Sequence, residues 1–225
     1  MILSCYFESW DEYLTPMSSI EPEYTHVNIA FANPNGTFDG ASFRNTGLSF
    51  SSSFDGVKAQ IYHLTSRGVK VFLSVGGATF PFPDNFNGGH MVNLAMALGC
   101  SGIDIDWEPA DGIKSDGKWG EIIRNLYALI NGRMQLSAAV WATGAMEPNQ
   151  NSMYQGVNKR GLLEEGVKLN FLNLMTYDGG KELDIIACFN AYRNLYKGPL
   201  VFGFEFGKMG WGKERTNLKG KERSD

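Results

Sequence analysis

Seven apolar runs, each the length of a single strand, recur along the chain: ILSCYF (2–7), HVNIAF (26–31), VKVFLSV (69–75), GIDIDW (102–107), QLSAAVW (135–141), FLNLMTY (171–177) and PLVFGFEF (199–206). Gly, Pro, Asn or Asp lie near their ends, and several are rich in Val, Ile or Phe. Most are apolar nearly throughout, the pattern of strands covered on both faces. Between them the period changes to that of helices. VKAQIYHLTSRG (57–68) and WGEIIRNLYALING (119–132) carry apolar residues three and four apart and stop at Gly68 and Gly132. ELDIIACFNAYRNLY (182–196) sets Ile185, Ile186, Phe189 and Leu195 near one stripe. The first link, 11–25, holds two prolines and reads as loop. Strands alternating with helices in this way predict one parallel α/β domain. An open doubly wound sheet carries a Gly-rich phosphate turn after its first strand. Here that strand runs into ESWDEYLTP, which has no glycine. The expectation is therefore a TIM (β/α)8 barrel.

One strand of the expected eight is missing. Beyond Trp211 the chain reads GKERTNLKGKERSD, with six Lys/Arg from Lys208 onward and Leu218 as its one aliphatic residue. Such a segment is solvated, so the reading is a barrel over 1–211, truncated before its eighth strand, and a charged tail over 212–225. The first and seventh strands would then keep unpaired apolar edges, which invite association. The expectation is a fragment of a longer reading frame.

Composition narrows the partners. The chain has 225 residues, 43% of them apolar, enough for a sizeable core. A net charge of −4 and a pI near 5.5 argue against nucleic acid or an anionic membrane as partner. No run of 18 apolar residues offers a membrane span. Met1 leads straight into ILSCYF, without the basic start or cleavage site of a secretory signal. Cys5, Cys100 and Cys188 form no CxxC pair, and His26, His63 and His90 are scattered. No disulfide framework, metal or cofactor is expected, and a monomer is.

The chemistry is concentrated in SGIDIDWEP (101–109). Asp104, Asp106 and Glu108 alternate with Ile103, Ile105 and Trp107. With a side-chain period of two, a strand points all three acids to one face and the apolar groups to the other. Helices cover the outside of a parallel barrel, so the acids face inward. Charges there cost several kcal/mol each unless paired or protonated. The strand holds no Lys or Arg to pair with them. Stacked acids also repel, so at least one should keep a proton at neutral pH. A protonated carboxyl is what glycosidic cleavage requires of a general acid. Glu108 lies nearest the strand's carboxyl end, where barrel active sites form.

The stretch 101–108 resembles the DxxDxDxE signature of family 18 glycoside hydrolases, the chitinases and their relatives. Asp104, Asp106 and Glu108 match its last three acids, and Ser101 replaces the first. FLSVGG (72–77) is similar to the family's SxGG motif and LMTYD (174–178) to its MxYD motif, in the right order. THVNIAFAN (25–33) resembles the second strand. The resemblance runs over roughly residues 2–211 and implies substrate-assisted retention, the mechanism in which the substrate replaces one carboxylate. It implies Glu108 as general acid and base. Asp106 would orient the substrate's 2-acetamido group, and Asp104 would hold Asp106 and share its proton. Tyr177 would donate to the acetamido oxygen, with Met175 and Asp178 lining the same subsite. Ser74, with Gly76 and Gly77, would support the acids from the next strand.

Aromatic residues at strand ends are the sugar-stacking candidates. They are Tyr6 and Trp10 after the first strand, Trp141 at the end of the fifth, and Trp211 after the seventh. The implied substrate is chitin or another N-acetylglucosamine oligosaccharide, cleaved at β-1,4 links. Two other activities stay open: a chitinase-like binding protein without turnover, and an endo-β-N-acetylglucosaminidase acting on N-glycans. Binding proteins of this kind commonly lose the position of Glu108, which this chain keeps. The family implies an extracellular place, although the chain shows no signal peptide.

Overall fold

The computed structural model describes residues 1–109, 117–147, 154–177 and 182–204. Seven strands form one sheet in chain order: β1 (Ser4–Glu8), β2 (His26–Ala32), β3 (Lys70–Gly76), β4 (Gly102–Asp106), β5 (Gln135–Trp141), β6 (Phe171–Met175) and β7 (Leu200–Phe202). Every neighbouring pair is parallel. Among the described residues five helices make crossovers: α1 (Phe54–Ser66), α2 (Gly89–Leu98), α3 (Lys118–Ile130), α4 (Lys159–Glu165) and α5 (Ile185–Leu195). The described residues supply seven strands of a TIM-barrel fold. Among the described residues β1 pairs only with β2, and β7 only with β6. Residues 205–206 of the expected seventh strand, Trp211 and the charged tail 212–225 lie outside the described residues.

Local chemistry sets the helix ends. Ser53 accepts from the Gly56 N–H and starts α1 three residues earlier than periodicity suggests. Asp184 caps α5 in the same way through the Ala187 N–H. After α3 the chain turns out through Asn131 and Gly132, both at positive φ. The buried side of α5 is carried by Cys188 and Tyr192, whereas Ile186 is 65% exposed. The stripe read from sequence was thus rotated by about one position. Helices α2 and α4 were not read from sequence. The first is apolar on most sides and so lacks a sharp 3.6-residue contrast; the second is only 7 residues long. The 11–25 link is non-helical apart from a 3-10 turn at Met17–Ser19, and another, Ser9–Asp11, runs into its start.

The main core lies between sheet and helices. Ile103 and Ile105 of β4 pack there with Leu94 of α2 and Ile122, Ile123 and Leu126 of α3. Fully burying side chains of this kind contributes roughly 1.5–3 kcal/mol each. Inside the sheet, the amino-terminal end of the barrel is filled by His26, Phe72 and Phe171, with ring centroids 5.0–5.8 Å apart. Gly102 makes room for them, since a Cβ there would lie 2.2 Å from the Phe72 ring. This plug closes one end of the barrel, and the polar interior begins above it.

Candidate active site

All five residues of β4 are buried, so its alternation divides it cleanly. Ile103 and Ile105 join the outer core, and Asp104 and Asp106 point inward. Asp104 is fully buried (0% exposed) and receives four hydrogen bonds from four other strands. Tyr6 Oη (2.8 Å, β1) and Ser74 Oγ (2.9 Å, β3) donate to Oδ2. Ser137 Oγ (2.7 Å, β5) and Asn173 Nδ2 (3.4 Å, β6) donate to Oδ1. Strand register makes this possible, because Ser74 and Ser137 stand directly opposite Asp104 on either side. Burial pushes the Asp104 carboxyl upward and outweighs the four donors, which act the other way, so it stays above its ordinary value.

Asp106, 4% exposed, has no such cradle: its Oδ1 is buried without a hydrogen-bond partner. Burial, then the charges of Glu108 and Asp104, hold its carboxyl well above the usual range. Glu108 is half-buried just past the end of β4. Burial raises it as well, against a hydrogen bond from the Ala78 backbone. Desolvation, then the acids Asp104 and Asp106 and the neighbouring Tyr177, likewise keep the Tyr6 phenol protonated. The interior is thus a ladder of carboxyls that retain protons at a pH where exposed acids have lost them.

Gly76 and Gly77 let β3 lie against this ladder. Gly76 sits at φ +112°, and a Cβ there would come 2.1 Å from the Asp106 carbonyl oxygen. Gly77 (φ +77°) donates its N–H to that same oxygen at 2.8 Å, and its Cα faces the Phe31 ring. At the mouth, Phe31 lies 6.0 Å from Tyr6 and 6.3 Å from Trp10, which is 45% exposed. Trp141 ends β5 opposite Met175 and stacks on Tyr154 at 4.0 Å. Tyr177 stands two residues past β6, its ring against Gly203.

The structure therefore brings Asp104, Asp106, Glu108, Ser74, Gly76, Gly77, Met175 and Tyr177 to one end of the sheet. Tyr6 is there too, but its hydroxyl is committed to Asp104. Asp178 and Trp211 lie outside the described residues. Ser101 stands at the opposite end of β4, where its hydroxyl accepts from the Val71 N–H. Seven residues of extended chain put it roughly 20 Å from Glu108. Sequence reasoning did not single out Ser137, Asn173 or Phe31. The register of β4 against β5 would have found Ser137, and the period-two face of β6 holds Asn173. Among the described residues, no three His, Cys, Asp or Glu side chains converge as they would around a metal ion.

Residues 2–206 match the sequence profile of Glycosyl hydrolases family 18. Endochitinase 1 of Metarhizium robertsii is 28% identical over 86% of this chain and 51% of its own length. Chitinase 1 of Aphanocladium album is 29% identical over 77% of this chain and 47% of its own. The chain thus spans about half the length of the curated relatives it matches. Among solved structures, a GH18 chitinase from Pseudoalteromonas aurantia superposes with a TM-score of 0.68, at 18% identity over 91% of this chain and 80% of that one. A GH18 chitinase from Cycas revoluta in complex with (GlcNAc)3 superposes with a TM-score of 0.66, at 16% identity over 91% and 68%.

Proposed function

The chain belongs to glycosyl hydrolase family 18, and we propose that it hydrolyses β-1,4 links in N-acetylglucosamine polymers with retention at the anomeric carbon. The observation that carries this reading is the inward ladder of Asp104, Asp106 and Glu108, in which burial raises the carboxyls of Asp106 and Glu108 and the neighbouring acids raise Asp106 further. Glu108 donates its proton to the glycosidic oxygen as the C1–O bond breaks. The substrate's own acetamido oxygen closes on C1 and forms an oxazolinium ion. Asp106 orients the acetamido N–H and balances the charge that develops, and Tyr177 donates to the acetamido oxygen. Glu108, now a carboxylate, takes a proton from the incoming water, which opens the ring with net retention. On this reading residues 1–211 belong to an incomplete catalytic barrel and 212–225 to a charged tail.

Substrate assistance supplies the test. Glu108→Gln keeps shape but carries no transferable proton, so turnover of a chromogenic N,N'-diacetylchitobioside should fall by roughly 10²–10⁴-fold. Binding of chitotriose should persist. Cello-oligosaccharides lack the acetamido group and should stay intact. An unaltered rate in Glu108→Gln, brisk cleavage of cello-oligosaccharides, or inversion at C1 would each end the proposal.

A further inference from the structure

A buried acid that the proposed chemistry does not use lies under the mouth of the barrel. Trp10 forms the exposed end of the aromatic row that runs outward from Tyr6 through Phe31. It rides on the 3-10 turn Ser9–Asp11, and apolar packing just beyond it is thin, because Tyr13 and Leu14 are both exposed. The turn is anchored by polar groups instead. Ser9 is buried, and its Oγ accepts from the Ser49 N–H at 3.3 Å. Glu12 is 4% exposed and carries most of the contacts. Its Oε2 accepts from Ser51 Oγ at 2.7 Å and from the Ser52 N–H at 2.8 Å. Its Oε1 accepts from Gln60 Nε2 at 2.8 Å, and Gln60 Oε1 in turn accepts from the Met17 N–H at 3.2 Å. One carboxylate thus ties both sides of the Trp10 loop to α1 and to the link before it. Burial opposes its charge, but these donors outweigh burial and bring the carboxyl down to about 2.

We propose that Glu12 is a positioning residue for substrate length: through Ser51, Ser52 and Gln60 it fixes the loop that carries Trp10, so that longer N-acetylglucosamine chains meet a stacking ring already in place. This rests on the activity proposed above and on Trp10 as a sugar platform. Glu12 touches no sugar on this reading, since its oxygens are buried against the loop and α1. Its effect must therefore travel through Trp10. A loop that is ordered before binding spares the ligand the cost of ordering it. A short substrate that fills only the sites beside Glu108 does not need Trp10, and a longer one reaches it. Glu12 should then matter for long chains and not for short ones.

Glu12→Gln tests this. Its amide NH2 would face the NH2 of Gln60, and two donors cannot bond each other. Turning the Gln60 amide over would satisfy it, but would then present an NH2 to the Met17 N–H. One contact is lost either way, and the loop loosens. KM for chitopentaose should rise by about 3–10-fold with kcat unchanged. Both constants for the chromogenic chitobioside should hold. Combining Glu12→Gln with Gln60→Glu exchanges donor and acceptor and keeps an acceptor for the Met17 N–H, so KM for chitopentaose should return. In a Trp10→Ala background Glu12→Gln should add no further loss. An unmoved ratio of the two KM values in a folded Glu12→Gln, failure of the exchange to restore it, or full additivity with Trp10→Ala would each overturn the proposal.

Ser51→Ala removes a single donor and serves where Glu12→Gln does not fold. It should raise the same KM by a smaller factor, and no change overturns the proposal. A second measurement needs no turnover. Calorimetry on the full 225-residue chain should show Glu12→Gln weakening chitopentaose by the same factor while chitobiose affinity holds. If the chain cleaves neither substrate, the proposed activity fails and this ratio of affinities still decides the role of Glu12. Chitopentaose affinity that Glu12→Gln leaves unaltered, or no chitopentaose binding at all, overturns it.

Discussion

Replacing Gly76 by Ala tests how tightly β3 must lie on the ladder. The new Cβ would sit 2.1 Å from the Asp106 carbonyl oxygen and 2.7 Å from the Phe82 ring, at φ +112°. Strain from a non-glycine residue at such a φ costs about 1–3 kcal/mol. Forcing a methyl against backbone adds about 1–3 kcal/mol, as for other overpacked sites. The sum is about 2–6 kcal/mol, or roughly 4–24 °C in Tm for a chain of this size. Gly68→Ala is the control: it has φ +84°, with nothing within 4 Å of the added carbon. Strain alone should cost it about 1–2 kcal/mol, roughly 2–8 °C. Activity should separate the two further. The oxygen that Gly76→Ala displaces belongs to Asp106, and a shift of about 1 Å at a reacting group can cost 10²-fold in rate. Thermal melts, followed by chitobioside turnover well below each Tm, measure both effects. Equal losses of stability in the two variants, or full activity in a folded Gly76→Ala, would refute the reasoning.

Asp106→Asn should be inactive yet more stable than the parent. A buried acid with a raised pKa binds its proton more tightly in the native state, so it costs stability as pH rises above its unfolded value of about 3.9. The gain in urea midpoint should therefore be present at neutral pH and vanish near pH 4; a destabilised variant at pH 7 contradicts this. His26 acts in the opposite window. Burial, then Lys70 and the chain's amino terminus, lower its pKa to about 4, so the unfolded chain takes the proton first. His26 should cost stability as pH falls from about 6.5 to about 4, with no further loss below. That part of the pH slope should disappear in His26→Phe, and an unchanged slope between those values would show that the plug does not hold a neutral imidazole.

Some features follow from residues a few positions apart, and the sequence determines these alone. Continuous apolar runs mean strands buried on both faces, and a change of period marks helices between them. The pleat sends Asp104, Asp106 and Glu108 to one face whatever surrounds them. Glycines after LSV in FLSVGG mark a strand end where a side chain will not fit, although only the fold shows that the Asp106 carbonyl fills the space. Helix ends were legible to within three residues because caps are local, but α2 was not, because burial on most sides removes the contrast that periodicity needs.

Other features depend on register between strands far apart in the chain, and only tertiary structure decides them. Nothing near Ser137 or Asn173 in sequence announces a partner; each meets Asp104 from 33 and 69 residues away. Tyr6 read as a sugar-stacking ring, and pairing of β1 with β2 carries its hydroxyl to an acid 98 residues on. Protonation belongs to the same class. Like charges at alternate positions predict that some proton stays, but which carboxyl keeps it depends on where the donors fall. Donors from β1, β3, β5 and β6 all reach Asp104, and none reaches Asp106 Oδ1. A carboxylate's charge is stabilised by groups within about 3 Å of its oxygens, and in a barrel those groups come from neighbouring strands, at distances in space that chain spacing does not encode.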